Sequence, residues 1–103
     1  MISSGADLQV SVSRQQQYIL RSDAVSWREV DGEIVALDIA SGAYFSVNGA
    51  GRVLWKSLVD PVSVEDLAIA LSESFSIPKE QAASDAAAFV DDLLERQLAE
   101  ALV

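Results

Sequence analysis

The sequence predicts one α+β domain in the outline of a winged helix-turn-helix: a three-stranded antiparallel meander followed by three helices. Three features lead there. Apolar residues alternate from Val25 to Val47, the period of strands. From Asn48 onward the spacing changes to threes and fours, the period of helices, with start signals at Asn48, Ser63 and Pro78. The length of 103 residues, 50% apolar, suffices for a single modest core. Strands that precede the helices, rather than alternating with them, place the helices on one face of an antiparallel sheet.

Residues 1–22 are rich in Ser and Gln, with a run at Gln15-Gln16-Gln17, and read as a mobile N-terminal arm. Within it, Leu8, Val10 and Val12 alternate like a weak strand. The domain proper is then 23–103. In its first strand Val25 and Trp27 share a face, in its second Val35, Leu37 and Ile39, in its third Phe45 and Val47. Requiring these residues to meet selects the turns. A two-residue Asp31-Gly32 turn would set Arg28 against Val35, an arginine among core residues. A three-residue loop, Val30-Asp31-Gly32, instead pairs Trp27 with Val35 and Val25 with Leu37 and gives Gly32 a left-handed position. An Ala40-Ser41-Gly42 loop likewise pairs Leu37 with Phe45 and Val35 with Val47.

Asn48 suits the N-cap of a first helix whose Leu54 and Leu58 form an apolar row ending at Asp60-Pro61. Ser63 with Asp66 resembles a capping box ahead of Val64, Leu67, Leu71 and Phe75 on one helical face. Pro78 fits the first turn of a third helix that runs to about Leu98. This helix carries two stripes: Ala83, Ala87, Val90 and Leu94, and beside them Ala82, Ala86, Phe89 and Leu93. Packing on a small sheet uses about one, which leaves the second free to line a groove.

Composition narrows the chemistry. Neither Cys nor His occurs, which removes thiolate and imidazole catalysis and the commonest metal ligands, so neither an enzyme nor a cofactor is expected. The absence of cysteine and of a signal-peptide pattern fits a cytoplasmic protein, and no apolar run approaches a membrane span. Net charge is −9, and residues 60–103 hold ten acidic groups against two basic ones. Nucleic-acid binding draws on Lys and Arg, so this balance opposes it. Gly49-Ala50-Gly51 lacks the spacing of a phosphate loop and reads as close packing against the sheet. The adjacent acidic pairs Glu65-Asp66 and Asp91-Asp92 diverge on a helix and form no metal or acid–base dyad.

The strand from Ala43 to Val47 closes the meander and carries neither charge nor proline, the usual protections of a free edge. Such an edge is a template on which an extended peptide can add as one more strand. Phe45 shares parity with Val47 and faces the core, so Tyr44 faces outward. On the last helix, Phe89 and Leu93 lie among Asp85, Asp92 and Arg96, a hydrophobic trough with a charged rim.

The stretch from Trp27 to Asn48, followed by Gly51-Arg52-Val53-Leu54-Trp55, resembles the PqqD-like family, which includes the leader-binding domains (RiPP recognition elements) of peptide natural-product pathways and the stand-alone B proteins of split lasso-peptide systems. The likeness covers about residues 24–102, and its most telling pieces are Leu37-Asp38, Ser41-Gly42, Tyr44 and Val47-Asn48, with Leu54-Trp55. It implies a non-enzymatic adaptor, expected to be a monomer, whose partners are a precursor leader peptide and a separate leader peptidase or modifying enzyme. The leader would add antiparallel to the third strand, on Ala43, Tyr44, Phe45, Ser46 and Val47, facing Asp85, Phe89, Asp92, Leu93 and Arg96 of the last helix. Gln97-Leu98 stands where the family often ends that helix with Gly-Leu. The rival reading, a winged-helix DNA-binding regulator, needs a basic recognition helix, and residues 64–75 hold Glu65, Asp66 and Glu73 with no Lys or Arg.

Overall fold

The computed structural model describes residues 16–102, so the alternation at Leu8, Val10 and Val12 lies outside the described residues. The elements run β1 (Gln17–Leu20), β2 (Val25–Val30), β3 (Glu33–Asp38), β4 (Tyr44–Val47), α1 (Ala50–Ser57), β5 (Val62–Ser63), α2 (Val64–Phe75), α3 (Lys79–Glu95) and β6 (Ala99–Leu102). The expected meander and three helices are present: β2, β3 and β4 form an antiparallel sheet in that order. A second small sheet, in the order β5-β1-β6, was not expected. Its middle strand lies inside the stretch read as an arm: Gln17 pairs with both Ser63 and Leu102, and Leu20 pairs with Ala99. Four residues are too few to display a period beside a glutamine run, and β5 and β6 are as short.

The register of the meander corrects the sequence reading. Val30 pairs with Glu33 across a two-residue turn, Asp31-Gly32, and both turn residues have positive φ, 52° and 78°, as a type I′ hairpin requires. Arg28 therefore does oppose Val35, and Trp27 opposes Ala36. The Asp31-Gly32 turn is one residue shorter than expected and the next loop one residue longer, so Ala36 meets Phe45 and Ile34 meets Val47. The result is a β3 rotated by one residue. Ile34 and Ala36 are buried, Val35 and Leu37 are only half-buried, and Ile39 is exposed. The assumption that failed was that the bulkier row of β3 must face inward. Both rows are apolar, so the Asp-Gly turn decided the matter, and Arg28 sits on the outer face, where it costs nothing.

The inner face of this sheet packs on α1 through an aromatic trio. Trp55, fully buried, meets Trp27 edge-on at 6.1 Å and Phe45 at 5.8 Å between ring centroids. At the end of the same face Glu29 accepts from Lys56 Nζ (3.0 Å) and Arg52 Nε, and these cations hold its carboxyl below its usual pKa, the Lys56 bond most of all. The N-cap of α1 is Gly49, at φ 57°, rather than Asn48, whose side chain reaches Glu33 instead (3.4 Å). Ser63 caps α2 as expected, its Oγ accepting from the Asp66 N–H at 3.1 Å.

Helix α3 ends at Glu95, three residues before its expected limit. Gln97 adopts φ 62°, its N–H donating to Leu94 C=O (3.0 Å) while the Leu98 N–H donates to Leu93 C=O (2.9 Å). These are the two bonds of a Schellman stop, with Gln97 in the left-handed seat where glycine is preferred. Buried Leu98 then turns the chain into β6. Along α3 the core row is Ala82, Ala86, Val90 and Leu93. It therefore cuts across the two expected stripes, leaving Ala83 exposed and Ala87 half-buried on one flank and Phe89 half-buried on the other.

Candidate functional site

Strand β4 is an edge: β3 lies on one side of it, and among the described residues nothing pairs with the other. The loop that launches it is built by polar side chains. Asp38 Oδ1 accepts from the N–H groups of Ala40 (3.1 Å) and Ser41 (3.4 Å), and Ser41 Oγ accepts from the Ala43 N–H (3.2 Å). Gly42 supplies the positive φ, 77°, that lets the chain turn. The Asp38 and Ser41-Gly42 pieces of the family likeness thus have a mechanical role in placing β4.

The Asp38 N–H donates to the Ala43 C=O at 2.9 Å, which makes these two a hydrogen-bonded pair. Alternation along an antiparallel ladder then turns Phe45 and Val47 toward β3 and aims the N–H and C=O of Tyr44 and Ser46 outward. Ala43 has both backbone groups engaged. Of the five strand residues named from the sequence, two therefore offer free main-chain groups. Tyr44 is 74% exposed, on the outer face opposite Leu37.

Facing this edge is one flank of α3. Phe45 lies beneath Arg96, whose Cζ is 5.7 Å from the ring centroid, and Arg96 is held in turn by Asp92 (3.3 Å) one helical turn earlier. Farther along, a Cβ on Gly51 of α1 would overlap Val47 Cγ1 and approach Phe89 Cε1 to 3.4 Å. Gly51 of α1 thus leaves room for side chains of both β4 and α3. The structure sets Arg96 against Phe45, and Val47 and Phe89 against Gly51, along the candidate trough between β4 and α3. Leu93, 3% exposed, belongs to the core beneath it. Asp85 and Asp92 are exposed, and Asp85 lies one turn from Phe89 on the same flank.

Gly51, beside which Val47 and Phe89 lie, and Trp55, the buried ring on which Phe45 packs, are residues that sequence reasoning did not assign to the site. The available signal for Gly51 was a glycine inside a helical pattern, which costs stability unless a close approach needs it. No group of three or more potential ligand residues is placed to hold a metal among the described residues. With apolar side chains, one cation and a main-chain edge unpaired among the described residues, the site can hold an extended chain.

Two solved structures are similar to this chain. TbiB1 in complex with the TbiA(beta) leader peptide shares 26% identity over 80% of this chain and 94% of that one, with a TM-score of 0.72. Lasso peptide synthetase B1 complexed with the leader peptide shares 30% identity over 81% of this chain and 96% of that one, with a TM-score of 0.70. No curated protein matches the chain. The family of coenzyme PQQ synthesis protein D (PqqD) matches residues 33–99, from the start of β3 to the start of β6, and the chain belongs to that family.

Proposed function

We propose that this protein is a leader-peptide-binding adaptor of a pathway that modifies ribosomally made peptides, of the lasso type. The leader segment of the precursor adds as an antiparallel strand to β4, bonding to the outward groups of Tyr44 and Ser46. Side chains of the leader that point inward enter the trough of Phe45, Val47 and Phe89, and its rim is Asp85, Asp92 and Arg96. The adaptor presents the bound precursor to a separate leader peptidase or modifying enzyme, acts in the cytoplasm as a monomer, and performs no chemistry itself. No described helix is long and apolar enough to cross a membrane.

The observation that carries this reading is the unpaired, uncharged β4 edge, in a chain 26% and 30% identical to proteins captured with leader peptides. Because Phe45 packs on Trp55, a peptide settling beside it perturbs tryptophan emission. Titration with synthetic leaders of the precursors encoded near this gene is expected to give a saturable fluorescence change with a dissociation constant of about micromolar or below, on the order of −8 kcal/mol. A flat response for all of them at several hundred micromolar would rule the reading out.

A further inference from the structure

A cavity of about 520 Å3 opens between β1, α2 and α3, away from the β4 edge. Its floor is apolar and made largely of small residues, Ala68, Ala87 and Val90, beside Tyr18 of β1. Ile69, 44% exposed, stands at its margin, so apolar surface is left uncovered there. The volume lies within the range of about 300–1,000 Å3 found for binding clefts. Helical geometry separates this cavity from the leader trough. Two residues along an α-helix turn by about 200°, so Ala87 and Phe89 point about 160° apart around α3. One helix thus forms a wall of both sites, and both can be filled at once.

Charge selects the occupant. The exposed lining residues Glu65 and Asp91 are acidic and Lys79 is basic. Over residues 64–95, the stretch that builds both helical walls, acids number eight (Glu65, Asp66, Glu73, Glu80, Asp85, Asp91, Asp92, Glu95) against that single lysine. A second copy would bring its own charge of −9 against this surface, and a nucleic acid or an anionic membrane would be repelled as well. A cationic segment with apolar anchors is complementary. The alanine floor admits the close approach of a helix, which lays its apolar face in such a groove with basic residues against the rim.

We propose that this cavity is the docking site for a cationic amphipathic helix of the enzyme that processes the precursor. The proposal rests on the adaptor reading for the identity of the enzyme. It adds a second surface, on the opposite flank of α3, through which one small protein holds leader and enzyme together.

The test uses the full chain and the leader peptidase or modifying enzyme encoded beside its gene. Two variants are made, Ala83→Arg, which obstructs the cavity from an exposed helical position, and Glu65→Lys with Asp91→Lys, which reverses the rim. Enzyme affinity is measured without precursor, and leader affinity by tryptophan fluorescence. Both variants are expected to weaken enzyme binding at least tenfold while leader affinity stays within twofold. Enzyme affinity unchanged in both would overturn the proposal, as would a dimer of the unsubstituted chain that Ala83→Arg dissolves. If a variant loses both affinities, photo-crosslinking decides. A benzoylphenylalanine replacing Ala83 must capture the enzyme and one replacing Asp85 must not, and the reverse pattern sinks the idea. A chain that binds enzyme through Ala83 but no leader would remove the adaptor reading and leave this docking site standing.

Discussion

A β-carbon on Gly51 would collide with Val47 Cγ1 and press on Phe89, because α1 approaches both β4 and α3 at that point. Replacing Gly51 with Ala forces one of those side chains aside, against the small gain in helix propensity that alanine brings. We expect Gly51→Ala to lower stability by about 1–3 kcal/mol by thermal or denaturant unfolding and to weaken leader binding about tenfold by titration. Ser46 allows the main chain to be tested apart from side chains. Its N–H points away from β3, and edge strands tolerate proline where the missing N–H faces solvent. Ser46→Pro should therefore leave the fold intact by circular dichroism yet cut leader affinity at least tenfold, whereas Ser46→Ala should change affinity less than twofold. Equal affinities for the two variants would mean that the edge hydrogen bond contributes nothing.

At the scale of elements, sequence reasoning recovered what local chemistry determines and lost what depends on packing. The cap at Ser63 and the parity of Val25, Trp27, Phe45 and Val47 were readable, as was the start of α3, although Pro78 is its N-cap rather than a first-turn residue, because each rests on a signal within a few residues. The face of β3 was not, since Ile34, Val35, Ala36 and Leu37 are apolar on both rows and only the Asp31-Gly32 turn distinguishes them. Strands β1, β5 and β6 escaped because each has four residues or fewer and gains its partners from distant parts of the chain. The end of α3 is instructive in another way. Gln97 occupies a left-handed position that the family often gives to glycine, and the stop forms there regardless because buried Leu98 must reach the core. A non-glycine residue in that conformation costs about 1 kcal/mol or more. Gln97→Gly is thus expected to raise stability by about 0.5–1 kcal/mol, seen as a higher melting temperature with unchanged leader affinity. A lower melting temperature would show that the glutamine side chain contributes a contact the strain argument ignores.

Strand β1 is clasped between β5 and β6, so the described part of the N-terminal stretch is committed to the second sheet, and among the described residues β4 keeps an unpaired side. In the proposed reading, the β2–β3–β4 sheet takes the leader and the opposite flank of α3 takes a second partner. Of the trough, Phe45, Val47, Phe89 and Arg96 were readable in the sequence as an aromatic edge strand facing a helix with a charged rim. The restriction of free main-chain groups to Tyr44 and Ser46 was not, because it follows from a register that only the folded turn sets. Residue-resolved amide exchange, with and without leader peptide, tests strand addition most directly. The amides of Phe45 and Val47, bonded to β3, should be protected in both states, while those of Tyr44 and Ser46 exchange freely alone and slow by an order of magnitude or more in the complex. Slowing confined to other elements, or bound leader with Tyr44 and Ser46 still exchanging freely, would contradict the account.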